Sequence, residues 1–220
     1  MQAERNQPAD WLPRLITLAG AGATGDAAHD LQHLRRVWSS AQLLLARAPE
    51  ADALVVMAAC FLHDLVNLPK DDPDRAQASR RSAQLARHQL AWLGFPADKL
   101  DAVAHAIEAH SFSAGIAPTS LEAQIVQDAD RLDALGAVGL ARMFYISGRL
   151  GRDLAHATDP LALHREWDDK HYALDHIEEK LAKLPGMMQT EVGRAVAQER
   201  LNLMLAFRDA FVREWGSGVD

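Results

Sequence analysis

One cysteine, Cys60, is all that this 220-residue chain contains, and it lies inside an apolar stretch. That scarcity excludes a disulfide framework and a thiolate metal site and suits a reducing compartment. Cys60 itself reads as a small core residue rather than a nucleophile. Runs of lysine or arginine are missing as well. Acidic residues are spread among basic ones, with a formal charge of -7, which argues against a nucleic-acid surface and against an anchor on anionic lipid. Long apolar runs are also absent. The most hydrophobic stretch, residues 51–66, is short and is interrupted by His63 and Asp64, so nothing spans a bilayer. Met1-Gln2-Ala3-Glu4-Arg5 lacks the charged-then-apolar pattern of an export signal. The expectation is a soluble, cytoplasmic protein whose ligands are small. No strand pattern, internal repeat or low-complexity segment is visible either.

What the chain does have is helical periodicity with punctuation. Asp10 predicts a cap for a short helix over residues 11–19 that packs as a lid, and Gly20, Gly22 and Gly25 break it. Asp26 predicts the cap of a helix over residues 26–47, on which Leu31, Leu34, Val37, Trp38, Ala41, Leu44 and Leu45 share one arc with His33 at its border. Pro49-Glu50 is read as the opening of a buried central helix, and the polar residues 67–73 as its closing loop. Further helices are predicted over residues 74–92 and 96–110, the latter carrying Leu100, Val103, Ala106, Ile107 and His110 on one face. Thr119 and Glu122 form a capping-box pattern for the next helix, which is read as continuing through Gly136 and Gly139 to Tyr145. Asp159-Pro160 predicts a long charged helix to residue 184, and an amphipathic helix over residues 190–215 follows the Pro185-Gly186 break. The expected fold is all-α and single-domain: residues 1–25 supply an N-terminal helix and a glycine-containing linker, and residues 26–216 the domain.

Chemistry enters with His63-Asp64, an adjacent imidazole and carboxylate ending an all-apolar helix. Burying two such groups without partners costs several kcal/mol, so they must be paired or bound to a metal. His33 and an aspartate of Asp128-Ala129-Asp130 complete a set of two imidazoles and two carboxylates, which suits divalent Mn, Fe, Co, Ni, Zn or Mg and leaves positions for water. Asp128 and Asp130 point in nearly opposite directions on a helix, so only one can face an ion. The helical wheel favours Asp128, while the small residues around Asp130 leave room for an ion and a ligand.

The ordered set His33, then His63-Asp64, then Asp130 resembles the H…HD…D pattern of the HD-domain superfamily of metal-dependent phosphohydrolases. His29-Asp30-Leu31-Gln32-His33-Leu34-Arg35-Arg36-Val37, Leu62-His63-Asp64 and Gln127-Asp128-Ala129-Asp130-Arg131-Leu132-Asp133-Ala134-Leu135-Gly136 are similar to a subgroup of small bacterial HD hydrolases. Thr190-Glu191-Val192-Gly193-Arg194 and Ala197-Gln198-Glu199-Arg200 extend the likeness toward the C-terminus. The resemblance implies a helical HD fold and a divalent metal held by His33, His63, Asp64 and Asp130. It also implies hydrolysis of a phosphoester or phosphoanhydride, with nucleoside triphosphate pyrophosphohydrolase activity known in some members. Asp64 is then expected to share ligation with proton acceptance, and His110 to relay a proton or steady the leaving group. A core-edge imidazole bonded to a backbone carbonyl is the competing account of His110. Asp128 becomes either a capping carboxylate or one that supports the site from behind by orienting a ligand histidine.

A phosphorylated substrate, a nucleotide above all, also needs cations. Lys70, Arg81, Arg131 and the His176/Lys180 pair at spacing four are the candidates, each against a default of solvated pairing with Asp or Glu. His29 and His33 with Asp30 between them invite comparison with a His-Glu-x-x-His zinc peptidase, which would leave His63-Asp64 unexplained. His164, Asp168, His171 and Asp175 are expected along one face of the charged helix as a solvated stripe. The alternative to an enzyme is a regulatory HD module that holds a nucleotide or metal without turnover. Neither reading decides whether the chain forms a homo-oligomer.

Overall fold

The computed structural model describes residues 7–21, 31–68, 72 and 74–216. These residues form α-helices joined by turns: α1 (Pro8–Ala21), α2 (Leu31–Leu45), α3 (Ala53–Leu62), α4 (Ala78–Trp92), α5 (Leu100–His110), α6 (Leu121–Leu132), α7 (Gly136–Arg149), α8 (Asp175–Glu179) and α9 (Glu191–Glu214). Among the described residues no strand forms, and β pairing is confined to an isolated bridge between Asp153 and Tyr172. The expected all-α class is what the chain adopts. Among the same residues no helix is long and apolar enough to cross a membrane. Two compact units divide the chain, Met1–Asp130 and Arg131–Asp220.

The first unit is arranged around α3. Every residue from Leu54 to Leu62 is buried, as a helix apolar on all sides requires, and α1, α2, α4 and α5 each pack against it. Asp52, not Pro49-Glu50, opens this helix: its carboxylate accepts from the N–H groups of Leu54 and Val55 at 3.0 and 3.2 Å, satisfying donors the first helical turn leaves open. The helix also stops earlier than its apolar run, at Leu62, with His63 as its C-terminal cap. Trp11 and Leu15 of α1 are buried, Trp11 meeting Phe95 edge-on with centroids 4.8 Å apart. This helix begins at Pro8, so Asp10 sits in its first turn instead of capping it; a proline is well placed there because its missing N–H has no partner to lose. The expected cap Asp26 lies outside the described residues, as does His29. The capping box at α6 is replaced by a simpler cap. Ser120 Oγ accepts from the Ala123 N–H at 3.2 Å, Thr119 Oγ1 bonds His105 Nε2 at 2.9 Å, and Glu122 Oε1 accepts from the Asp52 N–H at 3.0 Å. Glu122 is thereby drawn to the start of α3 and away from its own helix end.

In the second unit α7 packs on α9, with Phe144, Phe207, Phe211 and Trp215 in mutual ring contact. The helix expected to run on from α6 to Tyr145 is two helices. Gly136, at φ +76°, makes the turn that starts α7, a conformation glycine adopts freely. Gly139 is needed for a different reason: a Cβ there would lie 2.3 Å from the Ala134 carbonyl oxygen.

The long charged helix expected over residues 159–184 does not form, and only the five residues of α8 are α-helical within it. Side-chain carboxylates take the backbone donors a helix would use. Asp159 accepts from the N–H groups of Leu163 and His164, both at 2.9 Å. Asp168 accepts from Lys170 and His171, and Asp175 from the Asp168 N–H at 2.7 Å. Asp and Asn compete with helix hydrogen bonding in this manner. His164, Asp168, His171 and Asp175 therefore do not line a helix face. Asp175 is fully buried and holds Arg165, while His171 pairs with Asp168 in solvent. The final helix follows its expectation closely, with Thr190 capping α9 through the Gly193 N–H at 2.9 Å.

Candidate metal centre

Within the first unit, three helices deliver ionisable groups to one point. His33 stands on α2, His63 and Asp64 at the end of α3, and Asp130 in the last turn of α6. Both imidazoles are almost completely buried, at 1% exposure each. His33 Nε2 and His63 Nε2 approach to 3.4 Å. Asp64 Oδ2 lies 3.7 Å from the first and 3.5 Å from the second, and Asp130 Oδ1 lies 3.5 and 3.7 Å from them. His33, His63 and Asp64 form a group whose ligand atoms all lie within 4.8 Å of one another.

The spacing has a simple reading. With metal bonds of about 2.1 Å, two ligand atoms at a tetrahedral angle stand about 3.4 Å apart, which matches the separations of the two histidine nitrogens from each other and from each carboxylate. The hydrogen-bonding agrees. His63 Nδ1 bonds the Cys60 carbonyl at 2.9 Å, so Nδ1 carries the proton and Nε2 presents a lone pair to the centre. Two buried imidazoles and two carboxylates that aim acceptors at a common point repel one another unless a cation or protons intervene. The residues present therefore fit a divalent cation. Asp130, rather than Asp128, faces this point: Asp128 is fully buried elsewhere on α6.

His110 ends α5 beside this group, its ring centroid 4.6 Å from that of His63. Its Nδ1 bonds the Ile107 carbonyl at 2.6 Å, and its Nε2 lies 3.9 Å from Asp64 Oδ1. Burial, followed by the neighbouring His63, holds this imidazole below its usual range against the opposing pull of Asp130 and Asp64. His110 is thus a core-edge histidine on a backbone carbonyl, with its Nε2 turned toward Asp64. Cys60 lies in the core as expected. Burial, and then the charge of Asp130, pushes its thiol up, so it serves through its carbonyl.

Gln127 escaped the reading of the sequence. It is buried, and its Nε2 donates to the Ala109 carbonyl at 2.7 Å, tying α6 to α5 between Asp130 and His110. A glutamine one turn before Asp130, in the stretch of α6 that points into the core, is the signal that would have found it. The described members of the set of candidate phosphate-binding cations each hold a partner within their own unit. Lys70 lies outside the described residues. Arg81 pairs with Asp74 at 2.5 Å in solvent. Arg131 donates to the Met187 carbonyl at 2.6 Å. His176 and Lys180 converge on the carboxylate of Asp169 at 2.8 and 2.7 Å; burial pushes that carboxyl up, but these two bonds prevail and bring it down to about 2. The pair at spacing four does grip an anion, one supplied by the chain itself.

A helical unit that brings a histidine, a His-Asp pair and a later aspartate together in this order defines a class. The chain belongs to the HD-domain family, with residues 30–135 matching the HD domain. Its sequence is 34% identical over 201 residues to Bacillus subtilis YpgQ, an uncharacterized protein, covering 90% of this chain and 86% of that one. The structure of YpgQ in complex with ADP is similar with a TM-score of 0.74 at 31% identity, over 94% of this chain and 96% of that one. An HD-superfamily hydrolase from Bacillus thuringiensis gives a TM-score of 0.73 at 29% identity, over 96% and 100% of the two chains. The fold is that of the HD-superfamily hydrolases.

Proposed function

We propose that this protein is a metal-dependent phosphohydrolase that cleaves a phosphoester or phosphoanhydride of a nucleotide, a nucleoside triphosphate with release of pyrophosphate being the reaction to test first. Residues 26–216 are taken as its HD phosphohydrolase domain and residues 1–25 as an N-terminal helix and linker. The carrying observation is the convergence of His33, His63, Asp64 and Asp130: the two Nε2 atoms stand 3.4 Å apart, and each carboxylate places an oxygen 3.5–3.7 Å from both of them. The ADP bound by YpgQ supports a nucleotide as the ligand class. A divalent cation held by these four residues supplies Lewis acidity toward a phosphoryl oxygen and toward water.

The remaining chemistry belongs to the chain. Asp64 divides its carboxylate: Oδ2 faces the two histidines, and Oδ1 faces His110. A proton that Asp64 Oδ1 takes from water would reach His110 Nε2, 3.9 Å away, through one bridging water, because His110 Nδ1 is committed to the Ile107 carbonyl. A neutral His110, favoured by its burial, is the form able to accept it. Lys70, Arg81, Arg131, His176 and Lys180 are each candidates for a phosphate contact, to be tested one at a time; for Arg81, His176 and Lys180 such a contact exchanges a carboxylate partner for a phosphate.

Purified protein given Mn, Co, Ni or Mg should release phosphate or pyrophosphate from a panel of nucleoside mono-, di- and triphosphates, and His63→Ala and Asp64→Ala should abolish release. Turnover that survives both changes rejects the site. Tight nucleotide binding without turnover under any of these ions rejects the enzyme in favour of a regulatory HD module.

A further inference from the structure

We propose that Ser82 of α4 is a positioning residue for the cation site: its hydroxyl clamps the backbone at Val66 and so sets the direction in which Asp64, two residues earlier, presents its carboxylate. The inference rests on the divalent-cation reading of the site.

Helix α3 ends at Leu62 with His63 as its cap, so Asp64 is not carried on helical backbone. His63 has its own anchor in the Cys60 carbonyl. The segment that follows is held differently. The Leu65 N–H reaches the Leu62 carbonyl only at 3.4 Å, a long bond. The Val66 N–H, however, donates to Ser82 Oγ at 3.0 Å, and the Ser82 hydroxyl donates back to the Val66 carbonyl at 3.3 Å. One hydroxyl thus satisfies both polar groups of one residue. Two residues further on, the guanidinium of Arg75 takes the Leu68 carbonyl. The backbone leaving the His-Asp pair is therefore held from α4 and the turn before it, with only one long bond from its own turn.

Ser82 is fully buried, on a face of α4 that otherwise presents Ala83, Ala86 and Leu90, so water cannot readily take over the bonds its hydroxyl makes. The same face contains an internal control. Ser79 lies three residues earlier and is equally buried, but its hydroxyl finds no hydrogen-bond partner among the described residues. Loss of the Ser79 hydroxyl removes nothing from the site, whereas loss of the Ser82 hydroxyl frees Val66. Groups that orient a metal ligand from behind typically change metal affinity about 10–100-fold when removed.

Calorimetric titration with Mn, together with the absorption spectrum of the Co-loaded protein, reads this directly without a substrate. Ser82→Ala should weaken Mn binding by about tenfold or more and alter the Co bands; Ser79→Ala should leave both as in the wild type. If Ser82→Ala does not fold by circular dichroism, Ser82→Cys, which fills the same volume with a far weaker hydrogen-bonding group, should give the same loss. Wild-type affinity and spectrum in the Ser82 variant overturn the inference, and so does an equal loss in Ser79→Ala, which would reduce the effect to helix packing. Wild-type protein that binds no divalent ion overturns the site reading and the inference together; ion binding by the wild type with an unaffected Ser82 variant overturns the inference alone.

Discussion

Replacing Asp175 with alanine tests why the second unit abandons a helix that its sequence predicts. The carboxylate is fully buried and accepts two guanidinium bonds from Arg165, at 2.5 and 2.8 Å, and one from the Asp168 N–H at 2.7 Å. Asp175→Ala leaves a mostly buried guanidinium without its counter-ion and a backbone donor without its acceptor. Removing one member of a buried pair costs about 3–5 kcal/mol. Arg165 retains bonds to the carbonyls of Asp159 and Glu166, both at 3.1 Å, which places the loss at the lower end, about 3 kcal/mol. For a chain of this length each kcal/mol lowers the melting midpoint by about 2–4 °C, so a fall of about 6–12 °C is expected by calorimetry near neutral pH. Arg165→Met combined with Asp175→Leu should recover most of that loss, since apolar side chains of similar volume leave no charge unpaired. A midpoint within about 1 °C of the wild type in Asp175→Ala would refute the reasoning. So would a gain of helical circular dichroism without loss of stability, because local propensity, not the carboxylates, would then be setting this backbone.

Other outcomes bear on the site and on acid stability. Free Mn at a hundredfold excess over its dissociation constant should stabilise the wild type by about 2.7 kcal/mol, a rise of about 5–11 °C in the midpoint; an equal rise in His63→Ala would remove that residue from the site. Asp130→Ala should abolish Mn binding measured by titration calorimetry, while Asp128→Ala should lower the midpoint and keep the ion, and the reverse pair of results would exchange their roles. Asp169, drawn down to about 2 in the folded chain from an ordinary value of about 3.9, binds a proton more readily when unfolded. Its contribution, about 2–3 kcal/mol, is complete above about pH 5 and is lost as pH falls through its folded value. Asp169→Asn should therefore flatten the fall of stability measured by urea unfolding across that acid range.

Much of the first unit was legible because its cues are local and act together. The all-apolar run around Cys60 forced a buried helix, and the face shared by Val103, Ala106, Ile107 and His110 placed that histidine inward, where it lies. Periodicity alone misjudged the aspartates of α6. The helical wheel preferred Asp128, which is indeed the more buried, whereas the carboxylate that lies beside His33 and His63 is that of Asp130, with 27% of its side chain exposed; amphipathicity ranks burial, not nearness to the two histidines. The failure over residues 159–184 has the opposite origin. Its charges fit a solvated helix, but whether Asp159, Asp168 and Asp175 bond outward to water or inward to nearby N–H groups depends on neighbours that no window of sequence displays. Ser82 and Gln127 were invisible for a related reason: each bonds a backbone carbonyl sixteen or more residues away.

The placement of the ligands also explains the sign of the charge the site attracts. His63 caps the end of α3, His110 is the last residue of α5, and Asp130 stands in the last turn of α6. Three helices therefore direct their carbonyl ends toward one region, each worth roughly half a negative charge, and Asp64 and Asp130 add formal charges to it. A phosphate approaching such a place meets repulsion, unlike one approaching a helix N-terminus. Only a cation can occupy it favourably, and an anion can follow only as that cation's ligand. Mutual dependence of the two ligands is the consequence: nucleotide affinity measured in chelator should fall sharply, whereas a binding site built from Arg81, Arg131, His176 or Lys180 alone would keep its affinity. Equal nucleotide affinity with and without divalent ion would show that phosphate is recognised apart from the His33–Asp130 cluster.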